Sequence, residues 1–488
     1  MRSRLARGLS LKPRSRTSGS SMPAYKLLPE ISSTTGDLVV GDPACRGESW
    51  VLLGALAESG PRRLLKLDTT AEHVFALLGK RGTGKSYSLG ILLEGLGCGT
   101  EPTAIGQGSG PRATLVLDVL DIFWTSALPL RPSNSAELEK QYKRMTKARI
   151  PQVPVAIDVW VPAGYQNPEI DLPGTNVMRM APSDLTADDW ATLFEVDLVS
   201  EPRGMLLDEV VRKVSLTGWI DSNGERHLPM PVYSFNEMLH CLDDDGSITQ
   251  AYADNTIRSI RQRLGTQAAL PLFQGDPTAL NNLLKPGRVT VLMLGRLPDP
   301  ARQVITSILV RQIMRERRDA SFARKRLDLD PALTDEDRAR LVNVVAGSLP
   351  RTWLLVDEAQ VLVPAEQKTL SGETLVRFAK EGRNYGLSLA VATQQPSAVD
   401  SRLMSQVETL LVHQLTAKAD IDVALRSAKS PLPESIRIDG DAETAENLIR
   451  VLEQGDALFS CANAGRVMTR ACVVKMRPRV TAHGGYEA

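Results

Sequence analysis

The sequence predicts an α/β protein: a core built on a phosphate loop, a small β-rich module before it, and a helical insertion within it. Three observations predict this. The apolar run Val74-Phe75-Ala76-Leu77-Leu78 enters a glycine-rich turn and leaves it on a helix-like stretch, Tyr87–Leu96. A second apolar run, Thr352–Val356, ends in the adjacent carboxylates Asp357 and Glu358. Between the two, from Pro182 to about Leu284, strand-like runs give way to helical periodicity.

The turn reads Gly79-Lys80-Arg81-Gly82-Thr83-Gly84-Lys85-Ser86. It fits G-x-x-x-x-G-K-[ST] in the strand–loop–helix setting that gives the pattern its meaning. Its glycines let the backbone wrap closely and point N–H groups inward. The following helix adds the positive end of its dipole. Lys85 is placed to reach the β- and γ-phosphates of a nucleotide, and the Ser86 hydroxyl to ligate Mg²⁺. Gly79, Gly82, Thr83, Gly84, Lys85, Ser86 and Tyr87 are therefore the candidate cofactor-binding residues.

The chain has 488 residues, length for about three domains of ordinary size. With 42% hydrophobic and 24% charged residues it reads as soluble and globular. A net charge of +1 puts any affinity for nucleic acid in local patches, not in the bulk. The cysteines (Cys45, Cys98, Cys241, Cys461 and Cys472) are odd in number and include no CxxC pair, which fits thiols in a reducing cytoplasm. His73, His227, His240, His413 and His483 are isolated, so no zinc site is expected. No apolar run is long enough to span a bilayer, so no membrane partner is expected.

In chain order, residues 1–24 form a basic arm. Arg2, Arg4, Arg7, Lys12, Arg14 and Arg16 occur there without an acidic partner. A disordered arm on phosphates, a transit-type sequence, and an over-extended start with Met22 as initiator all fit. Residues 25–70 carry short β-like runs, Leu38–Val40 and Trp50–Leu53, punctuated by glycine and proline turns. The core's first part occupies 71–180. Its second strand, Ala113–Leu117, ends at Asp118, with Asp121 just beyond. A carboxylate there can hold a metal-bound water or cap the next turn. Ser135–Arg149 reads as a charged helix and Val153–Val161 as a strand.

Residues 181–285 are the helical insertion, with helical periodicity over Leu206–Leu216 and Ile248–Leu264. Arg258, Arg261 and Arg263 either face a polyanion or lie on a solvated helix face. The core resumes over 286–488 with a strand, Gly287–Leu294, and a helix, Pro300–Arg318, followed by a charged connection, Arg324–Arg340.

The run into Asp357 and Glu358 has the Walker B pattern. Asp357 would hold the Mg²⁺ shell and Glu358 would orient the attacking water. A helix, Leu375–Lys380, precedes the turn Glu381-Gly382-Arg383-Asn384-Tyr385-Gly386. The strand Leu387–Ala392 then ends in Thr393-Gln394-Gln395-Pro396. Gln394, a polar amide at a strand tip, can sense a γ-phosphate or the lytic water. Arg383, in its glycine-flanked turn, is either a surface arginine or one offered to a neighbouring subunit to stabilise phosphate charge.

These motifs, in this order and spacing, resemble the HerA branch of the HerA/FtsK ATPases: Gly79–Gly90, Val356–Gln360, Glu381–Gly386 and Ala392–Ser397. The tail Arg477–Gly485 looks like that family's C-terminal segment, and the likeness covers roughly Tyr25 to the end. The resemblance implies a RecA-like P-loop NTPase core and a hexameric ring around double-stranded DNA. It implies ATP and Mg²⁺ held between subunits. It carries Lys85 and Ser86 as nucleotide ligands, Asp357 and Glu358 as Walker B, Gln394 as sensor and Arg383 as arginine finger. It also implies a separate nuclease partner, of the NurA type or a defence-associated kind. The expected function is an ATP-driven DNA translocase or helicase in DNA end processing or anti-phage defence. The alternative is an ATP-gated ring scaffold that regulates an effector nuclease. The β-rich module is shorter than the family's usual barrel, and Asp118 and Asp121 stand where the family often has an Asp and a Gly-Glu pair.

Overall fold

Val74–Leu78 is buried at every position, as are Arg112–Asp118, Val289–Met293 and Leu387–Thr393. Strands buried along their whole length belong in a parallel sheet covered on both faces, and that is where these lie. The computed structural model describes residues 25–31, 36–41, 48–58, 63–108, 112–463, 468 and 470–485. The basic arm, Met22 and Cys45 fall outside the described residues.

The parallel strands run, in spatial order, Thr409–Val412, Val74–Leu78, Leu387–Thr393, Arg351–Val356, Arg112–Asp118, Val289–Met293, Ile157–Pro162 and Asn176–Met178. The α/β fold read from the sequence is therefore the fold observed. Parallel pairing brings the C-terminal ends of the strands to one edge. In open sheets of this kind, ligands bind beyond that edge. The residues that follow Leu78, Val356 and Thr393 meet there.

Beyond Thr409–Val412 the sheet turns antiparallel through Asp456–Cys461, Cys472–Met476, Trp50–Leu56 and Leu64–Asp68, and ends on Leu38–Val40. The β-rich module thus continues the core sheet, joined to it by strands from the end of the chain. Gly54 permits this junction: a Cβ there would lie 2.1 Å from the Lys475 carbonyl oxygen. Tyr25–Leu28 stands apart, pairing with Ser435–Ile438.

Residues 187–283 are mainly helical. Trp190, Phe194, Phe235 and Phe273 pack their rings together at the centre of this region. Arg311, on the long helix Asp299–Leu329, grips buried Asp189 with both terminal nitrogens, at 2.9 and 2.6 Å. The periodic stretch Ile248–Leu264 is two helices, Gly246–Ala251 and Asp254–Ala268, separated where Tyr252 is extended. Arg261 pairs with Asp243 at 3.0 Å and Arg258 bonds the Asp254 carbonyl, so these two sit on a solvated helix face with nearby partners, whereas half-buried Arg263 donates to the Phe194 carbonyl.

The stretch 324–340 is not an irregular connection. The first helix continues to Leu329, and a second, Asp335–Ala346, begins after a short break. Thr334 caps the second helix by accepting from the Asp337 N–H, and three acidic residues fill its first turn. None of its residues is buried, so no apolar stripe marks it. Among the described residues, no helix is long and apolar enough to cross a membrane.

Candidate active site

The phosphate loop is shaped by left-handed glycines and held from three sides. Gly82 and Gly84 have φ of +80° and +114°, which a side chain would oppose. Thr83 closes the turn, its hydroxyl donating to the Lys80 carbonyl at 2.8 Å. Lys80 N–H donates to the Gln414 carbonyl at 3.0 Å, and the Gln454 amide donates to the Gly82 carbonyl at 3.0 Å. A Cβ on Gly79 would stand 2.8 Å from the Cβ of His413, which fills the space beneath the loop.

The helix Lys85–Leu96 starts from Gly84 with no side-chain cap and no acidic residue in its first turn. Its leading N–H groups are therefore left for an anion. Lys85 is 4% exposed, and its Nζ lies 3.0 Å from Asp357 Oδ1 and 2.6 Å from Glu358 Oε1. The Ser86 hydroxyl donates to Asp357 Oδ2 at 3.2 Å. Phosphate loop and Walker B carboxylates, distant in sequence, form one cluster.

Glu358 takes a left-handed backbone, φ 49°, at the start of the short helix Ala359–Leu362. Gln394 donates to its Oε1 at 2.5 Å and Gln360 to its Oε2 at 2.7 Å, while Gln360 accepts from the Thr393 hydroxyl at 2.7 Å. Burial alone would raise the Glu358 pKa. The Lys85 charge and these amide bonds outweigh it and hold the carboxyl below its ordinary range. Asp357, fully buried, goes the other way: burial raises it, with Lys85 opposing and Glu358 adding. One carboxylate is thus kept ionised and hydrogen-bonded while its neighbour is held close to Ser86.

Asp118 caps the next turn, accepting from the Ile122 and Phe123 N–H groups at 3.1 and 2.6 Å. Burial pushes its pKa up to about 8. Asp121 accepts from the Gly295 N–H at 2.9 Å. Asp118 thus takes the turn-capping role read for it, while Asp121 ties its turn to the backbone at Gly295.

Two candidates are not brought to this cluster. Arg383 lies in the turn Gly382–Tyr385, at the start of the strand whose far end carries Gln394, roughly 20 Å away at about 3.3 Å per residue. There it pairs with Glu408. Tyr87 turns its hydroxyl to the C-terminal segment, accepting from the Arg479 N–H at 2.8 Å.

Sequence reasoning assigned no role to His413, Gln360 or Gln454. His413 is fully buried, its Nε2 2.9 Å from the Ser88 hydroxyl and its Nδ1 3.0 Å from the Asp456 carbonyl. Burial lowers its pKa to about 4, the nearby Lys85 charge adding to the effect, so the ring is neutral. Its position one residue past a strand beside the loop strand was the available signal. Among the described residues, no group of histidine, cysteine, aspartate or glutamate is arranged to hold a metal ion by itself. A metal here would be shared with phosphate oxygens. An ammonium, a hydroxyl, a carboxylate and free backbone N–H groups around a glycine-lined loop are the donor set for a magnesium–nucleotide. Nothing lies within 4 Å of a Cβ built on Gly82, so the space beside that glycine is open.

A parallel sheet with a phosphate loop and Walker B strand at its C-terminal edge defines a P-loop NTPase. Residues 51–313 match the family model described as the central domain of the helicase HerA, and the chain belongs to that family. Over 309 residues, 61% of this chain and 54% of the relative, it is 24% identical to the DNA double-strand break repair helicase HerA of Sulfurisphaera tokodaii. Over 151 residues, 30% of this chain and 27% of the relative, it is 24% identical to the protein of the same name from Pyrococcus furiosus. The chain thus spans about half the length of these curated relatives or less. The solved structure of VirB4 of Thermoanaerobacter pseudethanolicus aligns over 88% of this chain and 96% of that one, at 16% identity and a TM-score of 0.48.

Proposed function

We propose that the protein is an ATP-hydrolysing, hexameric DNA translocase or helicase of the HerA type. It acts on double-stranded DNA beside a separate nuclease or defence effector. The observation that carries this reading is the convergence of Lys85, Ser86, Asp357 and Glu358 on one point. In it, Lys85 and the loop N–H groups hold the β- and γ-phosphates of ATP, and Ser86 and Asp357 hold Mg²⁺. The metal neutralises phosphate charge when bound. Glu358, kept ionised, accepts the proton of the attacking water, and Gln394 fixes the carboxylate's orientation.

The position of Arg383 supports a ring. A guanidinium at the opposite edge of the sheet from its own loop, 43% exposed at the side chain, serves a neighbouring copy's phosphate and not its own. Hydrolysis then depends on assembly. The curated relatives' description as DNA double-strand break repair helicases supports duplex DNA as the track. Contacts to its phosphates would be independent of sequence and weakened by salt. Cleavage of DNA is assigned to the partner.

A triplex-displacement assay tests this reading. With ATP and Mg²⁺ the protein displaces a third strand from a duplex. ATP hydrolysis without displacement would leave the ring scaffold in its place.

A further inference from the structure

The helix that begins at Lys85 is anchored from behind by a segment from the other end of the sequence. Glu94, on that helix and fully buried, accepts hydrogen bonds at both carboxylate oxygens. Arg477 Nη1 approaches Oε2 at 2.7 Å; Arg479 Nε, the Val480 and Thr481 N–H groups and the Thr481 hydroxyl approach Oε1 at 3.2, 3.0, 2.9 and 2.7 Å. Burial would raise the Glu94 pKa, but the two guanidinium groups hold it below the ordinary range, so the carboxylate is charged.

The same segment grips the helix in its first turn, next to the phosphate loop. The Arg479 N–H donates to the Tyr87 hydroxyl at 2.8 Å, and the His483 ring stands edge-on to the Tyr87 ring. On its other side Arg479 Nη2 takes the Ser126 hydroxyl at 2.6 Å, in the turn that Asp118 caps. The segment therefore bridges the elements that follow Val74–Leu78 and Arg112–Asp118, strands of the one sheet with Leu387–Thr393 and Arg351–Val356 between them.

Two features argue for positioning over simple packing. A buried ion cluster stabilises a fold little more than an apolar one of the same volume, but it fixes geometry where its donors converge. Glycine is also a poor helix former, and the helix carries Gly90 directly under the segment. A Cβ at Gly90 would lie 2.3 Å from Arg479 Nη1. The helix gives up intrinsic stability at the point where the guanidinium lies against it.

We propose that Arg477–His483 is a strap that sets the position of the phosphate-loop helix, anchored on Glu94, and that Glu94, Arg479 and Thr481 are positioning residues for nucleotide binding. This rests on the reading that Lys85 and Ser86 hold nucleotide phosphates. It adds that their placement is dictated by a segment outside the phosphate loop.

The test uses the full chain with Thr481→Val, Arg479→Lys and Gly90→Ala. Affinity for a fluorescent ATP analogue, the KM for ATP and the melting temperature are read for each. The strap predicts that Arg479→Lys weakens nucleotide binding about tenfold and raises KM in step, with kcat at saturating ATP little changed. Gly90→Ala does the same, although alanine is the better helix former. Thr481→Val, nearly isosteric, gives a smaller loss in the same direction and carries the test if the other variants fail to fold. Wild-type affinity and KM in folded variants would overturn the strap. Absence of binding by the unsubstituted protein would overturn the nucleotide reading beneath it.

Discussion

Lys85 Nζ lies 2.6 Å from Glu358 Oε1, although 273 residues separate the two in sequence. Both side chains are almost fully buried, and Asp357 shares the same ammonium. A cation held by two carboxylates in a buried pocket does two jobs: it neutralises them in the fold and, in the proposed function, supplies the charge that phosphate needs.

Lys85→Ala therefore has two expected effects. Nucleotide binding, read by calorimetric titration, is lost. The fold also weakens, by about 3 kcal/mol, because removing one partner of a buried ionic cluster strands the others. A variant that binds ATP normally would remove Lys85 from the site.

Glu358→Gln separates binding from chemistry. The amide cannot accept a proton, so ATP turnover falls about a thousandfold, within the usual range for a lost general base. Affinity for ATP persists because Lys85 and the loop are intact. Single-turnover hydrolysis read beside equilibrium binding checks this, and normal turnover would dismiss the assigned role.

How much of this was legible in the sequence depends on the reach of each interaction. The phosphate loop and the Asp357-Glu358 strand end are local patterns, and the sheet brings them together as their motifs require. The role of His413 was hard to read, because Ser88 lies 325 residues away and the one local signal was its place just past a strand. The Glu94 cluster was hidden for the same reason, with Arg477 383 residues distant. A lone carboxylate in the otherwise apolar run Leu89–Leu96 was its one trace. The helix Asp335–Ala346 looked like a loop because it buries no face, and helix reading depends on a buried stripe. The union of the N-terminal strands with the core sheet depends on Asp456–Cys461 and Cys472–Met476, which nothing in the first seventy residues announces.

The buried histidine gives a pH prediction. His413 has its pKa lowered to about 4, below the ordinary value of 6.5. Between these values the unfolded chain takes up a proton that the native ring refuses, so acidification costs the wild-type protein stability. His413→Gln has no such loss. Its destabilisation, read from denaturant melts, should shrink by about 2 kcal/mol between pH 7.5 and pH 5. A cost independent of pH would mean the ring is not held neutral.

The claim that matters most is that each ATP site is completed by a neighbouring copy through Arg383. The direct measurement mixes Arg383→Ala protein with Lys85→Ala protein, each inactive alone, and follows ATP hydrolysis across mixing ratios. The account predicts recovery that peaks at intermediate ratios, since some interfaces then join an intact loop to an intact arginine. No recovery at any ratio, from variants shown to assemble together, would contradict it.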